Sequence, residues 1–317
     1  MSDEEGRKYL AHYMIDAWRR RGAGSFIPAT IRRESFCESP EITFHHGGED
    51  FRFAFGHTPF NSPQAERLIS DKWQMFQTLR DELPLPYTET IAKNDPRSDA
   101  EISESVVSQT SDKWHPFSFP VVVKPSEGSL SRNVFIAKDR EQLIQAIHAN
   151  RMDSSNGEGV LFQQYLGDEQ GLFREIRGLC FDGKTRLAYE RTPPETLSSA
   201  QSLVSDPAMI AQPGVVRGEV TDPAILAQID AIAEHLYENY GVAYIAFDMK
   251  CDRSGKMWVL EGNVAPMGLD AIEREIPNSR LFLRNLTDDM LDKVITLSPQ
   301  IVPNAAATHS PAEPEFF

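Results

Sequence analysis

Residues 244–266 read YIAFDMKCDRSGKMWVLEGNVAP. The stretch reads as two short strands joined by a tight turn, with Ser254-Gly255 as the two turn residues. With that turn Arg253 pairs with Lys256, and counting back along the hairpin sets Asp248 directly opposite Glu261. Directly opposed residues have Cβ atoms roughly 4.5–5.5 Å apart, where like charges repel. Two carboxylates so placed need a cation, a shared proton or solvent between them. Asn263 lies two residues past Glu261 and returns to the same face of an extended chain. Asp, Glu and Asn offer only hard oxygen donors, a set that suits Mg²⁺ and not zinc. Mg²⁺ seldom takes an all-protein cage, so phosphate oxygens are expected to complete its shell. The competing reading is a solvated hairpin that carries two acids by chance.

The rest of the chain is consistent with a globular setting for that hairpin. Its 317 residues suffice for two or three domains, and the 40% hydrophobic and 25% charged fractions are those of a folded protein. No run of 18 apolar residues suggests a membrane span, and the acidic start MSDEEGRKYL is not a secretory signal. Cys37, Cys180 and Cys251 are too scattered for a disulfide framework, so a reducing, cytoplasmic setting is expected. A net charge of −15 argues against nucleic acid as the main partner.

Strand-like and helix-like segments interleave, with several hairpins among them. A helix is expected near the N-terminus around Tyr9–Trp18, followed by strands at 41–45 and 50–55. Ser70-Asp71 caps a helix with Trp73, Phe76 and Leu79 on one face. Residues 93–115 are polar with little periodicity and read as a loop or linker. A buried strand at 119–124 follows, then a strand at 134–137 and a helix capped by Asp139. Strands at 160–165, 175–181 and 185–190 come next, the last two forming a hairpin about Asp182-Gly183. Segment 192–218 reads largely as loop. Asp222-Pro223 opens a helix that stops at Gly241, and a last helix covers roughly 278–297. This order favours an α+β (mixed α/β) fold. It divides into a short N-terminal domain (1–69), a first subdomain (70–159), a second (160–300) and a disordered tail (301–317).

Two further stretches carry chemistry. In VVVKPSEGSLSRN, Lys124 ends a buried strand, Pro125 stops its pairing and Gly128 permits a bend. Ser129, Ser131 and their backbone N–H groups then suit a polyphosphate; an ordinary polar loop is the competing reading. In VLFQQYLGDE, the end of a strand can present backbone groups to an adenine edge, and an acid just beyond can take ribose hydroxyls.

In this order and at these separations, the three stretches resemble the ATP-grasp superfamily of carboxylate–amine ligases over about residues 68–295. Within it the pattern looks most like the ribosomal-protein glutamate ligase and cyanophycin synthetase-like branch. The resemblance implies two α+β subdomains clasping ATP behind a short N-terminal domain. It implies that Lys72 and Lys124 approach the phosphates and that the loop Gly128–Asn133, with Ser129 and Ser131, closes over the γ-phosphate. It also makes Gln164, Tyr165 and Leu166 the adenine hinge and Glu169 or a near neighbour the ribose acid. Asp248, Glu261 and Asn263 become ligands of one or two Mg²⁺ ions, with Mn²⁺ as a substitute. Arg177, Arg191 and Asn263 act at the reacting phosphoryl group. Gln164 stands where many members have Glu, and the phosphate loop has a single glycine.

The activity so implied joins the carboxylate of an amino acid or peptide to an amine through an acyl-phosphate, releasing ADP and phosphate. Neither a membrane nor nucleic acid takes part, and a homodimer is common among similar proteins. Two readings stay open beside it: a carboxylate-phosphorylating enzyme of the same fold with no amine acceptor, and a nucleotide-binding module without catalysis.

Overall fold

A computed structural model describes residues 9–22, 27–32, 40–108, 116–127, 133–153, 159–167, 174–192, 216–266 and 269–297. The expected tail at 301–317 and most of segment 192–218 lie outside the described residues.

Every strand pairing among the described residues is antiparallel, and the strands form three sheets. Helix α1 (Leu10–Arg20) precedes a three-stranded sheet of β1 (Ala29–Arg32), β2 (Glu41–His46) and β3 (Glu49–Ala54). Helices α2 (Pro63–Ser70) and α3 (Lys72–Leu79) follow. Strands β4 (Thr88–Ala92), β5 (Val121–Pro125), β6 (Phe135–Ala137) and β7 (Gly159–Gln164) form a sheet in the order β4-β7-β5-β6. Helices α4 (Asp99–Val107) and α5 (Arg140–Met152) cover it. The third sheet contains β8 (Arg174–Phe181), β9 (Lys184–Thr192), β10 (Val216–Glu219), β11 (Tyr244–Cys251) and β12 (Met257–Asn263), in the order β10-β9-β8-β11-β12. Helix α6 (Pro223–Tyr240) precedes β11, and α7 (Leu269–Glu275) and α8 (Ser279–Thr296) close the fold.

Three buried clusters hold these layers together. One face of the five-stranded sheet packs Ile176, Ile245, Phe247, Met249 and Val259 against α6, α2 and α3. The other face, through Leu179, Leu187, Tyr189, Tyr244 and Ala246, shares a core with α1, β2, β3 and α8. The N-terminal elements therefore bury their apolar faces on the C-terminal sheet. The third cluster fills the space between the four-stranded sheet and α4 and α5.

Several local expectations agree with the structure for the reasons given by the sequence. Asp139 accepts from Gln142 N–H at 2.9 Å at the start of α5. Asp222 caps α6, which ends at Gly241 with φ 68°. The expected loop at 93–115 is in part a helix, α4. Its capping box is complete: Ser98 Oγ accepts from Glu101 N–H, and the Glu101 carboxylate accepts from Ser98 N–H. The apolar signal is thin because only Ile102, Val106 and Ser103 turn inward, one of them polar. Residues 109–115 lie outside the described residues.

The capping box makes a testable statement about α4. Ser98→Ala should lower stability by about 1 kcal/mol. Urea unfolding, with α4 followed by amide hydrogen exchange, reads both the global loss and the expected fraying of the first turn.

Candidate active site

The hairpin β11–β12 closes differently from the two-residue turn expected. Asp252 N–H donates to Lys256 O at 3.0 Å, and Gly255 N–H donates to Asp252 O at 3.0 Å. The loop is therefore three residues, Arg253–Gly255, with Gly255 at φ 83°. The Asp252 carboxylate accepts from Ser254 N–H at 2.8 Å and Lys256 N–H at 3.0 Å, which fixes this turn. The pairing near the turn is shifted by one residue from expectation: Cys251 opposes Met257, Lys250 opposes Trp258 and Met249 opposes Val259.

A β-bulge then restores the register. Between Asp248 and Met249 the pairing slips, Leu260 is the extra residue, and Asp248 does face Glu261. The consequence follows from the two-residue period of a strand. Val259 packs in the cluster beneath the sheet. In a regular strand Glu261 would follow it there, and Leu260 would stand opposite Asp248. The bulge carries Glu261 to the same face as Asp248. It leaves Gly262 on the covered face, where an added Cβ would lie 2.6 Å from Ile69 Cγ2 and 2.8 Å from Ile245 Cδ1. Asn263 opposes Ala246, one position further on the face of Asp248.

Cations from three segments meet these acids. Arg177 is directly opposite Asp248 in the β8–β11 register and donates to Asp248 Oδ2 at 2.8 Å. Burial works against the Arg177 charge, but Asp248, Tyr189 and Glu261 more than offset it, and its pKa is raised. Lys72 Nζ lies 3.6 Å from Glu261 Oε2. Lys72 is the first residue of α3 because Asp71 caps that helix, accepting from Trp73 N–H and Gln74 N–H. The Lys72 N–H also donates to Ser126 O at 3.4 Å, which ties α3 to the end of β5.

Lys124, the last residue but one of β5, is 5% exposed. Burial lowers its pKa to about 8, and neighbouring Lys72 adds to the fall, while Glu261 and Asp248 oppose it. Its ammonium donates to Gln163 Oε1 at 2.9 Å. The site thus brings together a buried lysine on one sheet, a lysine at a helix start, and a row of Arg177, Asp248 and Glu261 on another sheet.

Other expected site residues are placed less completely. Gln164 ends β7 with its side chain exposed, and its N–H donates to Tyr87 O at 2.8 Å, so that donor is used within the sheet. Leu166 is buried, and the Tyr165 ring has Lys250 Nζ 5.7 Å from its centroid. Gly128, Ser129, Ser131 and Glu169 lie outside the described residues. Arg191 occupies the β9 position opposite Glu175, two pairs along from Tyr189–Arg177. Gln163, which touches Lys124, was not anticipated from the sequence, where the hinge reading began one residue later.

The donor set suits a hard cation. Asp248 and Glu261 are opposed carboxylates on one face, and the Asn263 amide is oriented by Ala265 N–H donating to its Oδ1 at 3.0 Å. Among the described residues no group of three or more His, Cys, Asp or Glu side chains lies together, so two carboxylates and an amide are what the hairpin itself offers. No helix among the described residues is long and apolar enough to cross a membrane.

The fold that holds these residues has known counterparts. Residues 70–197 match the model of the RimK-like ATP-grasp domain. Over that stretch the chain is similar to this domain, and its architecture is the ATP-grasp fold. Beta-citrylglutamate synthase B of Danio rerio is 29% identical over 125 residues, which is 39% of this chain and 27% of that protein; the chain therefore spans about a quarter of this relative. The crystal structure of D-alanine–D-alanine ligase from Bacillus anthracis, complexed with ATP, superposes with a TM-score of 0.51 at 19% identity, over 75% of this chain and 68% of that one. The D-cycloserine synthetase structure is also similar, with 18% identity and a TM-score of 0.49 over 71% of each chain.

The buried lysine has a pH signature. Its folded pKa of about 8 lies below the ordinary 10.5, so unfolding takes up a proton between those values. Stability then rises with pH across that window as the cost of the buried charge is relieved. Lys124→Met lacks this rise. Its stability relative to the parent should fall by about 2 kcal/mol between pH 7 and pH 10, as read by urea unfolding at the two pH values.

Proposed function

We propose that this chain is an ATP- and Mg²⁺-dependent carboxylate–amine ligase acting on small amino acid or peptide substrates. The observation that carries the reading is the convergence of Lys72, Lys124 and Arg177 on the opposed pair Asp248 and Glu261. Three cations around two carboxylates suit a ligand that brings both negative phosphates and a metal. The synthase and ligase names of the similar proteins support the same reading, as does the match to the RimK-like domain.

The chemistry asks for positioning and charge neutralisation more than for a nucleophile on the protein. A substrate carboxylate attacks the γ-phosphate of ATP; the bond to the β-phosphate oxygen breaks, and ADP leaves. The acyl-phosphate formed is then attacked at its acyl carbon by an amine, which loses a proton as inorganic phosphate departs and the amide forms. Lys124 and Lys72 hold the polyphosphate from the β5 end and the α3 start. Arg177 steadies charge on the transferring group from the face of β8. Asp248, Glu261 and Asn263 would hold Mg²⁺, which supplies neutralisation of the phosphate oxygens. By the resemblance, Gly128, Ser129 and Ser131 would exclude water from the acyl-phosphate, and Arg191 would serve as the second arginine at that group. Tyr165 and Leu166 would flank the adenine, with Gln164 beside them and Glu169 at the ribose. The first domain, 1–69, and the stretch 192–218 select the substrates. A compartment without disulfide pressure, the cytoplasm, fits the buried free thiols of Cys180 and Cys251.

An ADP-release screen of amino acids and short peptides, with products identified by mass, tests the activity. Amine-dependent ADP release with a product of condensed mass is the expected result; ADP release without an amine requirement would instead identify a carboxylate kinase. Glu261→Gln should reduce turnover by at least a hundredfold with an unchanged circular dichroism spectrum. Near-parental turnover in that variant would remove Glu261 from the metal site.

A further inference from the structure

The environment of Lys124 contains a chain of hydrogen bonds with one possible direction. Thr88 Oγ1 donates to Pro86 O at 2.9 Å. A backbone carbonyl only accepts, so the single hydroxyl proton of Thr88 is committed there. Gln163 Nε2 donates to the Thr88 oxygen at 3.1 Å. That leaves Gln163 Oε1 turned toward Lys124 Nζ, which donates to it at 2.9 Å. A flipped amide would set an NH₂ group against an ammonium, donor against donor, and would also leave it facing away from Thr88. The order of donors is therefore fixed from the Pro86 carbonyl outward.

The chain is built by strand register and sealed from water. Thr88 and Gln163 are directly opposed in β4 and β7. In β5 and β7, Lys124 opposes Leu161 and Val122 opposes Gln163, which puts Lys124 and Gln163 on one face as a diagonal pair. Thr88, Gln163 and Lys124 are all buried, and Leu161 between them is fully so. Gln164, one residue on, faces the other way and is exposed. A buried ammonium needs an oriented acceptor, and here a neutral amide provides one without cancelling the charge. A carboxylate at 163 would form an ion pair and withdraw that charge from an anionic ligand.

We infer that Gln163, oriented by Thr88, is a positioning residue that keeps Lys124 charged and aimed at the phosphates of the nucleotide. The inference rests on the proposed ATP-dependent function for its ligand and on the hydrogen-bond chain for its geometry. Because Lys124 would bind the phosphates alike before and during transfer, loss of its aim weakens nucleotide binding and spares the chemical step.

The test uses Gln163→Leu, Gln163→Glu, Thr88→Val and Thr88→Ser in the full chain. ATP affinity is read by titration calorimetry, steady-state constants by ADP release, and the Lys124 ammonium by NMR titration of its labelled ε-carbon. Gln163→Leu should raise the Kd and KM for ATP about tenfold with kcat within about twofold, and should move the Lys124 titration to lower pH. Gln163→Glu should weaken ATP to a similar degree while moving that titration to higher pH. Thr88→Val should show a smaller effect of the same sign, and Thr88→Ser should restore parental values because the hydroxyl remains. Lower thermal stability in Gln163→Leu and Thr88→Val, with ATP affinity and the Lys124 titration unchanged, would overturn the inference and make Gln163 a polar core residue only. If the parent protein binds no ATP while the Lys124 titration still follows residues 163 and 88, the nucleotide reading fails and the positioning of Lys124 stands.

Discussion

The bulge at Leu260 is the constraint on which the candidate site depends. Strand side chains alternate between faces, so a position's parity decides whether it meets the core or the site. Val259 is needed in the core beneath the sheet, and Glu261 is needed above it, yet they share parity. A single unpaired residue resolves that conflict locally. It sets Glu261 beside Asp248 and leaves a glycine, Gly262, where the covered face has no room for a side chain. Two carboxylates on adjacent strands would repel one another; Arg177 on one flank and Lys72 on the other provide the compensating charge.

Those cations come from different parts of the chain, and the layers exist to bring them together. Arg177 arrives through the β8–β11 ladder. Lys72 arrives because Asp71 starts a new helix there and because the Lys72 N–H reaches the carbonyl of Ser126. Lys124 arrives on the other sheet, where burial depresses its pKa to about 8 and the proximity of Glu261 and Asp248 limits the fall. The result is a mutual dependence: each group is tolerable in its surroundings because of a group on another element. Such compensation is weak evidence for stability and better evidence for a site built to exchange partners with a charged ligand.

The N-terminal elements serve this arrangement by holding the ends of the hairpin. Asn61 accepts from the N–H groups of Ala243 and Tyr244 and donates to Tyr244 O, clamping the start of β11. Gly56 lies so close to Ala265 that an added Cβ would be 2.8 Å from its carbonyl carbon. One loop therefore grips the beginning of β11 and the segment just past Asn263, the two ends of the hairpin remote from its turn.

Local chemistry written in the chain was enough for much of this. The capping aspartates, the stop at Gly241 and the strand lysine could be read because each depends on neighbours within a few residues. The opposition of Asp248 and Glu261 was also legible, but the count that gave it had two errors that cancel: a turn one residue longer than expected and a bulge of one residue. Helix α4 escaped because one turn of apolar residues makes too faint a period, although its capping box at Ser98 and Glu101 was present in the sequence. What only the tertiary structure decided was partnership across elements. Gln163 looks like one half of a polar pair in a strand until the sheet puts Thr88 on one side of it and Lys124 on the other. A sequence states which groups a strand carries; which face, which neighbour and which charge they meet depends on registers and layers fixed by burial far along the chain.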